Sequence, residues 1–286
     1  MKQPGPRQEM FVPVLAAPVL AAPVLAAAIL AAAILGMVLL APAASPVAAA
    51  SMTVRQVIAV LQGPHPADLS GQDLSRLDLA DVDLSGANLA GANLFGADLT
   101  GARLVGANLA GADLDRAIVI RADFSGANLA GARMFLPAAS SKAGEMPAED
   151  APRFRGANLA GAHLLAKLGN GDWTGANLAD AHFELGPTQF LAALKSDLSG
   201  CNLAGANLAG ADMSGVRMRF VKLQGANLRG TNLRDADLAG ARLDGADVTG
   251  ANLAGADVRR ASLHGVIGLE AAKGVDDLRN ADLAEQ

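Results

Sequence analysis

From Ala67 onward the chain repeats every five residues, and no other feature constrains its fold as tightly. Successive units read ADLSG, QDLSR, LDLAD, VDLSG, ANLAG, ANLFG, ADLTG and ARLVG. A period of five fits neither the 3.6 of a helix nor the 2 of a simple strand. With the Leu position taken as the centre, fourteen units run without a break from Leu69 to Met134. The rhythm stops at residues 135–153, FLPAASSKAGEMPAEDAPR, where Pro, Ser, Gly and mixed charge predict an excursion loop. It resumes at Phe154, Leu159 and Leu164, breaks briefly at LAKLGNGD, and continues through Trp173, Leu178 and Phe183. A third break, ELGPTQFLAALK, has room for one helical turn. Fourteen more units follow from Leu198 to Leu263, and GLEAAKG precedes a last pair centred on Leu278 and Leu283.

The residue two before each centre is small, usually Ala, and the centre is Leu, Met, Phe or Val. In extended backbone these two positions share a face, so that face is buried. Tyr is absent and aromatics are 3% of the chain, so the interior is filled by aliphatic and small side chains. Gly at the last position lets the backbone turn a corner that a larger residue resists. Each unit is then a very short strand followed by a turn, and turns of one hand coil the chain so that successive coils pair edge to edge. The Asp or Asn before each centre, such as Asp98 or Asn207, faces solvent and hydrogen-bonds nearby backbone. On this reading Leu208→Lys lowers the melting temperature sharply and Asn207→Lys hardly at all.

The repeated string A(D/N)LxG resembles the pentapeptide-repeat family. That resemblance implies an all-β solenoid, a right-handed quadrilateral β-helix with four units per coil; spacing alone also permits a three-sided coil. Thirty-six units then make about nine coils and a rod roughly 43 Å long. Ahead of the repeats, TVRQVIAVLQ has Thr53 as a helix cap, Gln56 three residues on, and Val54, Val57, Ile58 and Leu61 on one face. A short amphipathic helix is expected at 53–62, closing the first open coil. The chain thus divides into a signal peptide or membrane anchor (1–50), a capping helix and linker (51–66), a first repeat block (67–134), the excursion loop (135–153), and a second block with a C-terminal cap (154–286).

Residues 1–10 carry Lys2 and Arg7, and residues 11–41 are apolar apart from Pro13, Pro18, Pro23 and Gly36. Small residues Ala48 and Ala50 place a cleavage site before Ser51, the pattern of an export signal. The proline-free run Val24–Ala41 is also long enough to cross a bilayer, which makes an uncleaved anchor the alternative. A start codon placed too early is a third reading of PVLAAPVLAAPVLAAAILAAAIL. The expected location is exported, periplasmic or extracellular, with the membrane involved only if the segment is retained.

No catalytic set emerges. The chain has four histidines, and only His163 and His182 attract attention. Each precedes a centre, and their centres are four units apart if the intervening break is a one-residue deletion. They then stack on one face in neighbouring coils as two solvated histidines, the alternative being a shared metal ion with no third ligand. Cys201 takes a small inward position, replaces Ala in the core and is inert. Trp173 occupies a centre beside an irregular break and fills a widened coil. GNG at 169–171 lacks the lysine and helix of a phosphate loop. Catalytic, cofactor and metal residues are therefore expected to be none.

The net charge of -5 becomes only one unit more negative without Lys2, Arg7 and Glu9, so no nucleic-acid footprint is present. The expected function is a non-catalytic exported scaffold or protein-interaction module with a protein partner. The resemblance implies an alternative, a DNA mimic that inhibits or protects type II topoisomerase. That role needs a long acidic stripe, and here Arg103, Arg133, Arg217, Lys222 and Arg242 interrupt the outward columns, with Arg229, Arg234, Arg259 and Arg260 nearby. An open C-terminal coil also permits a homodimer through that end, as in relatives of the family.

Overall fold

A computed structural model describes residues 51–139, 147–183 and 195–275. The chain separates into two units, Met1–Pro46 and Val47–Gln286, and the first lies outside the described residues. So do the export segment, the helical turn expected in ELGPTQFLAALK and the last pair at Leu278 and Leu283. Among the described residues no helix is long and apolar enough to cross a membrane.

The five-residue rhythm becomes a coil of four sides. Asp68 pairs in parallel with Asn88, Asp73 with Asn93, Asp78 with Asp98 and Asp83 with Arg103, each a step of twenty residues. Twenty is four units, which settles the choice between three and four sides. Each side gives and takes bonds between coils: Leu69 N–H donates to Asn88 C=O at 2.7 Å, Asn88 N–H to Ala67 C=O at 2.8 Å and Gly71 N–H to Ala90 C=O at 2.9 Å. A bond inside the unit closes each corner, as Ala87 N–H to Leu84 C=O at 3.1 Å. The third residue of that turn has positive φ, which is why Gly recurs there. Among the described residues ten corners carry another residue at φ 52–59, including Arg76, Asp180 and Phe220, so Gly is favoured but not required.

The sides are shorter than the strands expected. Most contribute a single bridging pair, because a corner follows within two residues. Among the described residues only Arg133–Phe135 (β1) and His163–Leu165 (β2) are strands, parallel with Arg133 opposite His163. Between them the register absorbs irregular lengths. The coil continues past residue 135, since Ile118 pairs with Ala138 and Ala139 is buried. Asp123 then pairs with Arg153, a step of thirty, so the excursion adds ten residues rather than the nineteen of 135–153. Arg153 to Asp172 and His163 to His182 are steps of nineteen, the one-residue deletion. LAKLGNGD is itself part of the coil: Leu168 is fully buried and Lys167 pairs with Asp197.

The centres and their small partners form one core, from Leu69 to Leu263, each centre at most 8% exposed. Each buried Leu contributes on the order of 1.5–3 kcal/mol. One inner ladder is aromatic: Phe124 stacks on Phe154 at 4.9 Å and Phe154 on Trp173 at 4.1 Å. Two inward polar residues satisfy themselves on coil carbonyls, Thr231 on Leu208 at 2.8 Å and Ser196 on Phe183 at 3.0 Å. The helix α1 spans Val54–Leu61 with Thr53 as its N-cap and both bonds of a capping box. Its Val57 is fully buried in the core, and Val60 and Leu61 pack against it.

Candidate interaction surfaces

Because every side repeats after twenty residues, the residue before each centre stacks into four outward columns. The first runs Asp68, Asn88, Asn108, Asn128, Asn158, Asn177, Asn207, Asn227, Asp247. Along it each Asn Nδ2 donates to the Oδ1 one coil back, in seven links of 2.9–3.0 Å from Asn88 to Asn227. The same Oδ1 atoms accept the backbone N–H two residues ahead, as Ala130 to Asn128 at 3.3 Å. The expected bonds to nearby backbone are present, as Ala209 N–H to Asn207 and Thr100 N–H to Asp98. The expectation that a change at Asn207 is nearly neutral is corrected, because the Asn residues of this column are half-buried members of an amide ladder that such a change breaks.

The fourth column alternates in charge, Asp83, Arg103, Asp123, Arg153, Asp172, before Asn202, Lys222 and Arg242. Arg153 sits 3.2 Å from Asp123 and Arg103 3.9 Å from Asp83. In the third column Arg217 pairs with Asp197 at 3.0 Å. Several carboxylates are held below the ordinary range. Asp247 falls to about 2 because the Thr249 hydroxyl and N–H donate to it and Arg229 lies against it. Asp68 and Asp73 are lowered by Ser70 and Ser75 in the same way.

The second column brings the two histidines together. His163 and His182 stack with ring centroids 4.9 Å apart, between Arg133 and Asp212. Among the described residues no group of three His, Cys, Asp or Glu is placed to hold one metal ion. Cys201 is fully buried, donates to the Leu168 carbonyl at 3.1 Å, and its thiol is pushed by burial up to about 12. Trp173 is 1% exposed in the aromatic ladder, as its centre position predicts. A depression beside the excursion is lined by Arg121 and Arg153 and by Glu149 and Asp172, so it favours neither sign of charge.

Sequence reasoning missed Phe220. The unit VRMRF places Phe where Gly ordinarily turns the corner, and that departure was the available signal. The structure leaves the residue 63% exposed at φ 57.

Comparison with known families bears on this architecture. The family model described as pentapeptide repeats matches eight copies, at residues 67–101, 102–134, 196–235 and 231–267. With the four-unit coil in place, the chain belongs to the pentapeptide-repeat family, and its described repeats form a four-sided β-solenoid.

Among solved structures it is similar to HetL of Nostoc sp. PCC 7120, a pentapeptide repeat protein involved in heterocyst differentiation regulation. The identity is 28% over 80% of this chain and 96% of that one, with a TM-score of 0.38. A pentapeptide repeat protein of the Arabidopsis thaliana thylakoid lumen is 30% identical over 45% of this chain and 76% of that one, TM-score 0.22. QnrB1, a plasmid-mediated fluoroquinolone resistance protein, is 16% identical over 70% and 88% of the two chains, TM-score 0.34. A comparison with curated proteins finds no match. The assignment rests on the repeat model and the coil's own register.

Proposed function

We propose that the protein is a non-catalytic scaffold or protein-interaction module, exported through its N-terminal segment. The observation that carries this reading is the continuity of the outward columns. Seven amide links on one side and ion pairs between coils on two others present ordered, fixed side chains to a partner at low conformational cost. Many of the outward Asp and Asn side chains are engaged in bonds within or between coils, and the buried Cys201 thiol is a poor nucleophile.

Mimicry of DNA is the weaker reading. It calls for an unbroken acidic stripe, and each of the four columns carries a cation, an amide or an apolar residue between its carboxylates. In this proposal α1 shields the first coil, and self-association through the C-terminal end is tested by light scattering.

Affinity capture with the tagged full chain from the envelope fraction of its native host tests the interaction role, and the mass of the mature chain tests export. A defined protein recovered at fixed stoichiometry, and a mature chain beginning at Ser51, are the expected results. Recovery of nothing overturns the interaction role, and a cytoplasmic chain carrying residues 1–50 overturns export.

A further inference from the structure

We propose that the corner around Phe220 is a docking site for an acidic segment of a protein partner, with the Phe220 ring as its apolar anchor. The proposal deepens the interaction reading and rests on it. Phe220 combines two locally unfavourable choices. Among the described residues it is the one aromatic of the ten non-Gly residues at positive φ, where a bulky side chain is most strained. It then leaves 63% of itself in water. A scattered exposed apolar residue is ordinary, but one held in a strained conformation with so little burial in return points to function.

The surroundings are built to receive it and to attract negative charge. Phe220 precedes Gly240 by one coil, and a Cβ on Gly240 would lie 2.5 Å from the ring, so the glycine leaves a floor on which the ring rests. Three neighbouring coils then place Arg219, Lys222, Arg242, Arg259 and Arg260 around it, all exposed. The Arg219 guanidinium stands 5.9 Å from the ring centroid.

Three of these cations have carboxylates: Arg219 with Asp237 at 3.9 Å, Arg242 with Asp244 at 3.5 Å and Arg259 with Asp257 at 2.5 Å. Lys222 and Arg260 have no ion pair among the described residues, which leaves a local excess of two positive charges on a chain of net charge -5. That excess selects a short acidic peptide over a nucleic acid. A polyphosphate strand draws its affinity from many phosphate contacts, and two cations without a carboxylate partner supply too few of them. An extended peptide of a few residues spans the three coils, sets carboxylates against Lys222 and Arg260, and lays one apolar side chain on the ring.

The test is fluorescence anisotropy of the full chain with a labelled ten-residue peptide of Glu and Asp around one central Phe. The same measurement is made with labelled oligo(dT). The parent should bind the peptide saturably, more weakly as salt rises, and at least about tenfold more tightly than Phe220→Gly or Arg260→Glu. Phe220→Gly should melt at or above the parent temperature, because Gly prefers this corner, so its loss of binding is not loss of fold. If that variant melts lower, Arg260→Glu, an exposed change, decides the matter.

Absence of saturable binding by the parent, equal binding by the variants, or tighter binding of oligo(dT) overturns the assignment. Should the envelope partner be captured equally well by the parent and by Arg260→Glu, this site is wrong while the interaction role stands.

Discussion

Asn128 donates through Nδ2 to Asn108, accepts from Asn158, and accepts the Ala130 N–H, all within 3.3 Å. Replacing it by Ala removes those bonds and strands two half-buried partners, so we expect a loss of about 1–3 kcal/mol in a denaturant melt. Leu208→Lys, which puts a charge in the core, should abolish the cooperative transition altogether. Gly171→Ala is a third case. Its Cβ would meet the Trp173 indole nitrogen at 2.8 Å and the Leu168 and Pro152 carbonyls at 3.2 Å. A cost on the order of 1–3 kcal/mol follows, read as a lower melting temperature with a shifted Trp emission. Which residues face in was legible at this scale, because small and aliphatic positions recur at fixed places in ANLAG. The amide ladder was not legible: its partners are twenty or thirty residues apart, and the pairing exists only once four units are known to close a coil.

The helix α1 was readable from Thr53 and Gln56, and the structure ends it one residue short of the expected span at each side, with Thr53 and Gln62 as caps. Its burial of Val57 against the core gives a direct prediction. Val57→Asp should lower the melting temperature and expose the first coil to protease, while the same change at the exposed Ile58 should leave both unchanged. The corners were read less completely. Gly marks most of them, but Arg76, Asp81, Arg116 and Arg121 turn at the same φ, because the steric penalty at a single αL residue is small beside the core it serves. The excursion was read too long for a related reason. PAA at 137–139 has lost the Leu signal, yet Ala138 still pairs and Ala139 still points inward. Hydrogen-bond register outlasts the consensus.

Taken as a whole, the described coils should respond to acid in one direction. Asp68, Asp73, Asp83, Asp123, Asp197, Asp247 and Asp257 are all held below their unfolded value. A lowered carboxylate binds its proton less readily when folded, so it adds stability above the ordinary carboxylate pKa of about 4 and loses it as pH falls towards 2. The melting temperature should therefore be level from neutral pH to about 5 and drop below about 4. Asp247→Asn should flatten part of that decline. The excursion carries a different consequence. Ten extra residues leave the pairing of Asp123 with Arg153 and Asn128 with Asn158 in step with the coils on either side. The pairing thus tolerates ten added residues at this point, and a foreign epitope spliced between Ala139 and Pro147 should be displayed without unseating the turns above or below it.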